Sequence, residues 1–288
     1  MKDFRHVILW GHSLHTNTFS YVYEGMERAL QRLGHKVFWL PRDRERVEQI
    51  PDWSIGALFI VEGTVEQGVP ITPNSWYVLH NCNVGRYPVG RYLVLQTYTD
   101  DVLTRDTHAV NPWTHYETST ATLYQPWATD LLPDEIGALA PANGHYIPWV
   151  GTIGKGVFGN VEQLAGWRRA CGEHGLGFVQ RVNISREEHI PFVRRGMLAP
   201  TICGDWQVRQ GYIPCRIFKN LSYGQWGITN SPRVQAIFGG KLTFNQNTHK
   251  LFYDAVVEHE RQDRAELMRI VAAEHTYINR VKRILEFL

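Results

Sequence analysis

Apolar and polar positions change period repeatedly along this chain. Residues 6–10 form a compact apolar run, the pattern of a buried strand, and residues 11–18 (GHSLHTNT) form a polar loop. Phe19, Val22, Met26, Leu30 and Leu33 then recur at helical spacing, which predicts an amphipathic helix stopped by Gly34. Residues 36–40 (KVFWL) return to a strand. This is a β-loop-α-β unit, for which parallel strands and a right-handed crossover are the favoured geometry. Residues 57–61, 76–79, 92–95 and 121–124 predict further strands, with poorly marked helices between them.

The texture changes at residues 127–144, where WATDLLPDEIGALAPANG is rich in Pro, Gly, Ala and acid and reads as a linker. A second unit follows: a strand at 146–150, a helix at 159–173, a strand at 177–182 and a helix at 187–195. Residues 198–203 predict another strand, and 227–230 and 241–244 two short ones. Leu267, Ile270, Val271, Ile278, Val281 and Leu285 keep helical spacing to the end. The expectation is two α/β halves in series, residues 1–130 and 131–288, with the closing helix counted in the second and packing back towards the first.

Between the last strands lies GYIPCRIFKNLSYGQWGITNS, residues 211–231, a short helix between tight connections. Pro214 suits a first helical turn and Gly224 the left-handed position past the end. Ile217, Phe218 and Leu221 share one face, and Arg216, Lys219 and Asn220 another. Cations in an opening turn oppose the helix dipole, whereas an anion there is welcomed by free N–H groups. The two readings are an anion site at Arg216 and Lys219, or a solvated basic face.

Composition narrows the classes. The chain has 288 residues, 43% hydrophobic and 20% charged, which describes an ordinary globular protein. A net charge of +2 makes no bulk electrostatic case for nucleic acid or membrane binding. The four cysteines form no CxxC pair, so zinc ribbons and redox dithiols are not indicated, and reduced thiols in a cytoplasmic protein are the default. The opening apolar run is too short for a signal peptide, and no stretch reaches membrane-spanning length.

Motifs exclude more than they assign. The chain has no GxxxxGK[ST], no HExxH, no GxSxG and no DxD, the carboxylate pair that metal-dependent nucleotide-sugar enzymes use. Two loops carry a signal. Gly11, His12 and Ser13 follow the first strand, where open α/β sheets bind ligands, so the loop is expected at a cleft. His12 has the chemistry of a general base, or it caps the loop by hydrogen bonding; His15 is the substitute. Gly154 to Gly159 spells GxGxxG between a strand and a helix. The acidic residue that a dinucleotide site requires some 20 positions on is missing, because that strand ends in Phe178-Val179-Gln180-Arg181. The loop reads as a phosphate-facing turn or a plain Gly turn.

Together these pieces resemble a glycosyltransferase of GT-B architecture, two Rossmann-like domains facing across a cleft. VILWGHS and YEGMERALQRLGHKVFWL resemble its first βαβ, IPWVGTIGKG the opening of its nucleotide-binding domain, and CRIFKNLSYGQWGITNS its R-x-F-E helix and following turn. AAEHTYINRVKRIL resembles the closing helix of the spore-maturation-type, CgeB-like branch. The resemblance covers both ends and the C-terminal half well and residues 41–126 poorly. It implies a nucleoside-diphosphate sugar donor, most readily a UDP-sugar, and no essential metal or other cofactor. Donor contacts would come from Gly11, Ser13, Thr152, Gly154, Gly156, Arg216, Lys219, Asn220, Asn230 and Ser231, with Arg216 on the diphosphate. His12 or Glu62 would be the base of an inverting enzyme. Where the family commonly has Glu after Phe, on the ribose, this chain has Lys219 then Asn220.

Three function classes follow: a nucleotide-sugar-dependent glycosyltransferase, a non-catalytic nucleotide or sugar-phosphate binding protein on the same fold, and an NAD-type oxidoreductase built on GxGxxG. The acceptor is open among glycans, small molecules, proteins and modified nucleic-acid bases.

Overall fold

The computed structural model describes residues 4, 6–40, 47–97 and 122–288. Position 121, the start of one expected strand, lies outside the described residues, as does part of the poorly covered stretch 41–126. The chain divides into two compact units, residues 1–130 with 277–288, and residues 131–276.

The first unit is built on β1 (Val7–Trp10), α1 (Thr18–Arg32), β2 (Val37–Leu40), β3 (Leu58–Glu62), β4 (Trp76–His80), β5 (Tyr92–Gln96) and β6 (Thr122–Tyr124). The strands form one six-stranded sheet in the order β2-β1-β3-β4-β5-β6. Every pair is parallel, with Val7 opposite both Val37 and Leu58. Parallel strands are buried on both faces, which is why β1 and β3 read as continuous apolar runs instead of alternating. Asn17 caps α1 by accepting the Phe19 N–H at 3.0 Å. Where the sequence marks no helix clearly, short 3-10 turns stand at Gly63–Gly68 and Val84–Arg86.

The second unit contains α2 (Pro133–Gly137), β7 (Ile147–Val150), α3 (Val161–Glu173), β8 (Phe178–Arg181), α4 (Arg186–Arg194), α5 (Asp205–Arg209), α6 (Cys215–Ser222), β9 (Ile228–Thr229), α7 (Pro232–Ile237), β10 (Thr243–Phe244), α8 (Thr248–Glu258) and α9 (Arg264–Glu274). β7 pairs with β8 and β9 with β10, both parallel. Residues 196–201 run between these pairs, joined by single bridges from Gly196 to Tyr146 and Thr201 to Thr229. The expected strand at 198–203 therefore forms no full ladder. Pro200 has no N–H to offer, and side chains take neighbouring backbone groups: Asn220 Nδ2 donates to Ala199 O at 2.8 Å, and Asn230 binds both N–H and C=O of Cys203.

Two other expectations are corrected, and one helix stands where none was expected. The stretch read as a linker holds α2, with Pro133 in its first turn. The helix α8 has no counterpart in the sequence reading. The closing helix is two helices, α9 and α10 (Tyr277–Phe287), and α10 belongs to the first unit instead of the second. The His275-Thr276-Tyr277 motif lies at that handover. The His275 ring packs on Phe218 and Phe238, with centroids at 4.7 and 5.4 Å, in the second unit. Tyr277 is buried in the first, its ring against Gly25 of α1, and Arg280 donates from Nε to Pro126 O at 2.7 Å.

A Cβ on Gly25 would lie 2.3 Å from Cδ2 of Tyr277, so the two helices close only over glycine. Gly25→Ala is expected to destabilise the protein by about 1–3 kcal/mol through overpacking. The check is the urea midpoint of the variant against the parent; an unchanged midpoint would show that α10 does not dock there.

Candidate active site

In the first unit, β2 lies on one side of β1 and β3 on the other, so strand order reverses between β1 and β3. Open parallel sheets bind ligands at such a switch point, beyond the carboxyl ends of the strands. Gly11, His12 and Ser13 leave β1 there, and Glu62 ends β3. A cavity of about 670 Å³ opens beside them, lined among others by Trp10, His12, Ser13, Thr16, Glu48 and Val65. Gly11 is buried under the Tyr23 ring, where a Cβ would fall 1.8 Å from Cε2. The loop bends back on itself, with Thr16 Oγ1 donating to Ser13 O at 2.6 Å.

The His12 ring lies at this cavity and not in a core. Its Nε2 is 3.2 Å from Glu62 Oε2 and 2.8 Å from Thr64 Oγ1. Glu62 is only 2% exposed, against 16% for His12. Glu62 Oε2 also accepts from the Thr64 N–H at 3.1 Å and from the Thr64 hydroxyl, so this carboxylate caps the turn Gly63–Gly68. The sequence reading placed His12 and Glu62 as separate candidates; the structure joins them and adds Thr64, for which the sequence carries no motif. His15, the substitute base, instead pairs its Nδ1 with the Tyr21 hydroxyl at 3.1 Å.

Behind this site His80 is buried against Phe19 and Trp127. Burial pushes its pKa down to about 4, against smaller opposing effects of its hydrogen bond to Leu95 O and of Glu62. The ring is therefore neutral and structural at neutral pH.

In the second unit the carboxyl ends of β7, the 196–203 segment and β9 gather the other candidates. α6 carries Arg216 in its first turn, with Pro214 as the capping residue, one position earlier than expected. The guanidinium lies 3.6 Å over the Trp149 ring and donates to Val150 O at 2.8 Å. Among the described residues no carboxylate pairs with it. Desolvation lowers its pKa, and the nearby Cys215, Cys203 and Tyr212 side chains oppose that shift. An arginine held this way retains donors and positive charge for an incoming anion.

The rest of the expected donor set divides. Lys219 lies in the last turn of the eight-residue α6 and is buried, so the premise of two cations in one opening turn is corrected. Its charge there agrees with the helix dipole. Asn220 and Asn230 are buried, with their amide groups on backbone at Ala199 and Cys203. They build the site instead of presenting to it. Ser231 caps α7, its Oγ accepting the Val234 N–H at 3.4 Å. Thr152 and Gly156 are exposed on the loop after β7, and Gly154 is partly exposed.

The GxGxxG glycines have a packing reason. Gly154 O accepts from the N–H groups of Asn160 and Val161, and a Cβ on Gly159 would sit 2.2 Å from that oxygen. At the position of the missing acid, Gln180 Nε2 donates to Gly151 O at 3.0 Å. This is a turn that starts α3, without the ribose-binding carboxylate of a dinucleotide site. Among the described residues no group of three or more potential metal ligands occurs, and no helix is long and apolar enough to cross a membrane.

No protein-family model and no curated protein sequence matches the chain. Solved structures do. An alpha-glucosyltransferase in complex with UDP-glucose and DNA containing an abasic site aligns with a TM-score of 0.60 at 10% identity, over 98% of both chains. The DNA-modifying enzyme beta-glucosyltransferase, solved with and without uridine diphosphoglucose, aligns with a TM-score of 0.51 at 9% identity, over 98% of this chain and 96% of its own. The T4 phage BGT in complex with its UDP-glucose substrate gives 0.51 at 11% identity with the same coverage. The chain has the GT-B fold. The likeness runs through both units, each with the parallel strand pairing of that fold.

The low pKa of His80 makes stability depend on pH. The unfolded chain binds a proton below about pH 6.5, whereas folded His80 resists it down to about pH 4, so stability is lost as pH falls through that window. His80 accounts for about 3 kcal/mol of this loss. Urea unfolding between those limits is expected to show a shallower pH dependence for His80→Gln than for the parent; parallel slopes would place a charged or exposed ring there.

Proposed function

We propose that this protein transfers a hexosyl group from a nucleoside-diphosphate sugar, UDP-glucose foremost, to a hydroxyl acceptor. The observation that carries the reading is Arg216, a desolvated guanidinium in the first turn of α6 with no carboxylate partner among the described residues. Burying a charge is costly unless it is paired, and a diphosphate supplies the partner. In this reading Arg216 neutralises the charge that develops on the leaving diphosphate, the loop at Thr152, Gly154 and Gly156 borders the phosphates, and Ser231 with the start of α7 lies alongside. Lys219 is a supporting charge, and Asn220 and Asn230 hold the frame. Gly11 and Ser13 shape the loop that presents His12.

His12 is the general base, taking the proton of the acceptor hydroxyl beside the first-unit cavity. The acceptor class best supported is a hydroxyl-bearing base in DNA, because the solved structures that share this fold include one bound to UDP-glucose and DNA together. The CgeB-like likeness of the closing segment is a proposal about ancestry only, since no solved structure described above belongs to that branch.

Calorimetric titration with UDP and with uridine tests the donor site. Arg216→Ala is expected to weaken UDP binding by about 2–4 kcal/mol and uridine binding much less, because truncation leaves the diphosphate charge unpaired. Equal losses for both ligands, or none, would make Arg216 structural. His12→Ala is expected to lower UDP release from UDP-glucose about 100-fold or more with donor affinity retained. Donor binding with no release by the parent protein would leave a binding protein on this fold.

A further inference from the structure

We infer that His12 takes the acceptor proton on Nδ1, and that Glu62 and Thr64 are the positioning residues that fix the ring in the Nε2–H tautomer. The inference rests on the reading of His12 as general base and decides which atom and which neighbours make it one.

The close contacts around Glu62 and His12 admit one arrangement of protons. Glu62 Oε2 has three neighbours: the Thr64 N–H at 3.1 Å, the Thr64 hydroxyl, and His12 Nε2 at 3.2 Å. An ionised carboxylate only accepts, so each neighbour must bring a hydrogen. The Thr64 hydroxyl has one, and it points at Glu62. Thr64 Oγ1 then has only lone pairs for His12 Nε2, which lies 2.8 Å away, so Nε2 carries the hydrogen there too. The opposite assignment, with the hydroxyl donating to a bare Nε2, sets lone pairs against each other at two of the three Glu62 contacts, those to Thr64 Oγ1 and His12 Nε2. A neutral imidazole with hydrogen on Nε2 has its lone pair on Nδ1. Nδ1 has no hydrogen-bond partner among the described residues, and the ring lines the cavity of about 670 Å³.

The same geometry removes Glu62 as an alternative base. It is 2% exposed, and its Oε2 both caps Gly63–Gly68 and meets His12 Nε2, so it acts through His12. Its charge stands behind the ring, where it stabilises the imidazolium that forms. In the step, the acceptor O–H bond breaks and its proton moves to Nδ1. The acceptor oxygen bonds the anomeric carbon as the bond from that carbon to the phosphate oxygen breaks. The electron pair leaves with the nucleoside diphosphate. Displacement in this manner inverts the anomeric centre.

The test reads the tautomer directly. In protein labelled with 15N-histidine, the His12 signals are those lost in His12→Gln, and pH is raised until the ring is neutral. The Nε2–H pattern is expected in the parent, and a mixture of tautomers in Glu62→Gln. Thr64→Val is expected to lower the turnover of UDP-glucose, with water as acceptor, about tenfold at unchanged donor KM. Thr64→Ser, which keeps the hydroxyl, is expected to retain most of the rate and the parent tautomer. An Nδ1–H pattern in the parent, an unshifted pattern in Glu62→Gln, or a Thr64→Ser loss equal to that of Thr64→Val would each overturn the inference. The spectrum needs no turnover. A parent that shows the Nε2–H pattern but releases no UDP would instead overturn the transferase reading on which the proton transfer depends.

Discussion

The structure of the first unit depends on one constraint: its parallel strands must bury both faces. Val7, Ile8 and Leu9 of β1 and Leu58 through Glu62 of β3 are inaccessible or nearly so. A strand of that kind has no room for polar chemistry along its length. Polar groups are displaced to the carboxyl ends, where the backbone leaves the ladder and free groups face solvent. The reversal of strand order between β1 and β3 opens a crevice at those ends. His12 and Glu62 are the first polar side chains after, or at, the ends of the two strands that flank it.

The second unit meets the same constraint with a weaker sheet. Its middle segment, 196–203, is interrupted by Pro200, and the missing ladder contacts are replaced by Asn220, Asn230 and Gln225. Gln225 Nε2 donates to Val193 O and Gly196 O at 2.7 and 2.8 Å. Unpaired buried backbone groups are costly, so these amides are as structural as a strand would be. That explains why two residues with the chemistry of ligand contacts are found inside the frame. Arg216 is different. Among the described residues its guanidinium meets the Trp149 ring face and the Val150 carbonyl, which hold its position without neutralising its charge. The GxGxxG loop beside it is shaped by the approach of Gly159 to Gly154 O, a packing need that a pattern of glycines does not distinguish from phosphate binding.

Much of this was legible along the chain. The apolar runs and the helical spacing of Phe19 to Leu33 gave the first βαβ, because strand and helix periods are local properties. The charge of Arg216 at a helix start and the place of His12 after the first strand were legible for the same reason. Lys219 was misread because helix length, and so the end to which a residue belongs, depends on where tertiary contacts stop the helix. The segment 198–203 was misread because its partners are side chains distant in sequence.

The sequence by itself determined the strand and helix periods, the fold class and the candidates at the strand ends. Tertiary structure alone decided which candidates face a site. Thr64 stands 52 positions from His12 yet shares its proton network. Tyr277 seats α10 on α1 across a gap that only Gly25 allows. Both depend on distances between segments that no local period encodes, since burial and hydrogen-bond partners are set when the chain folds back on itself.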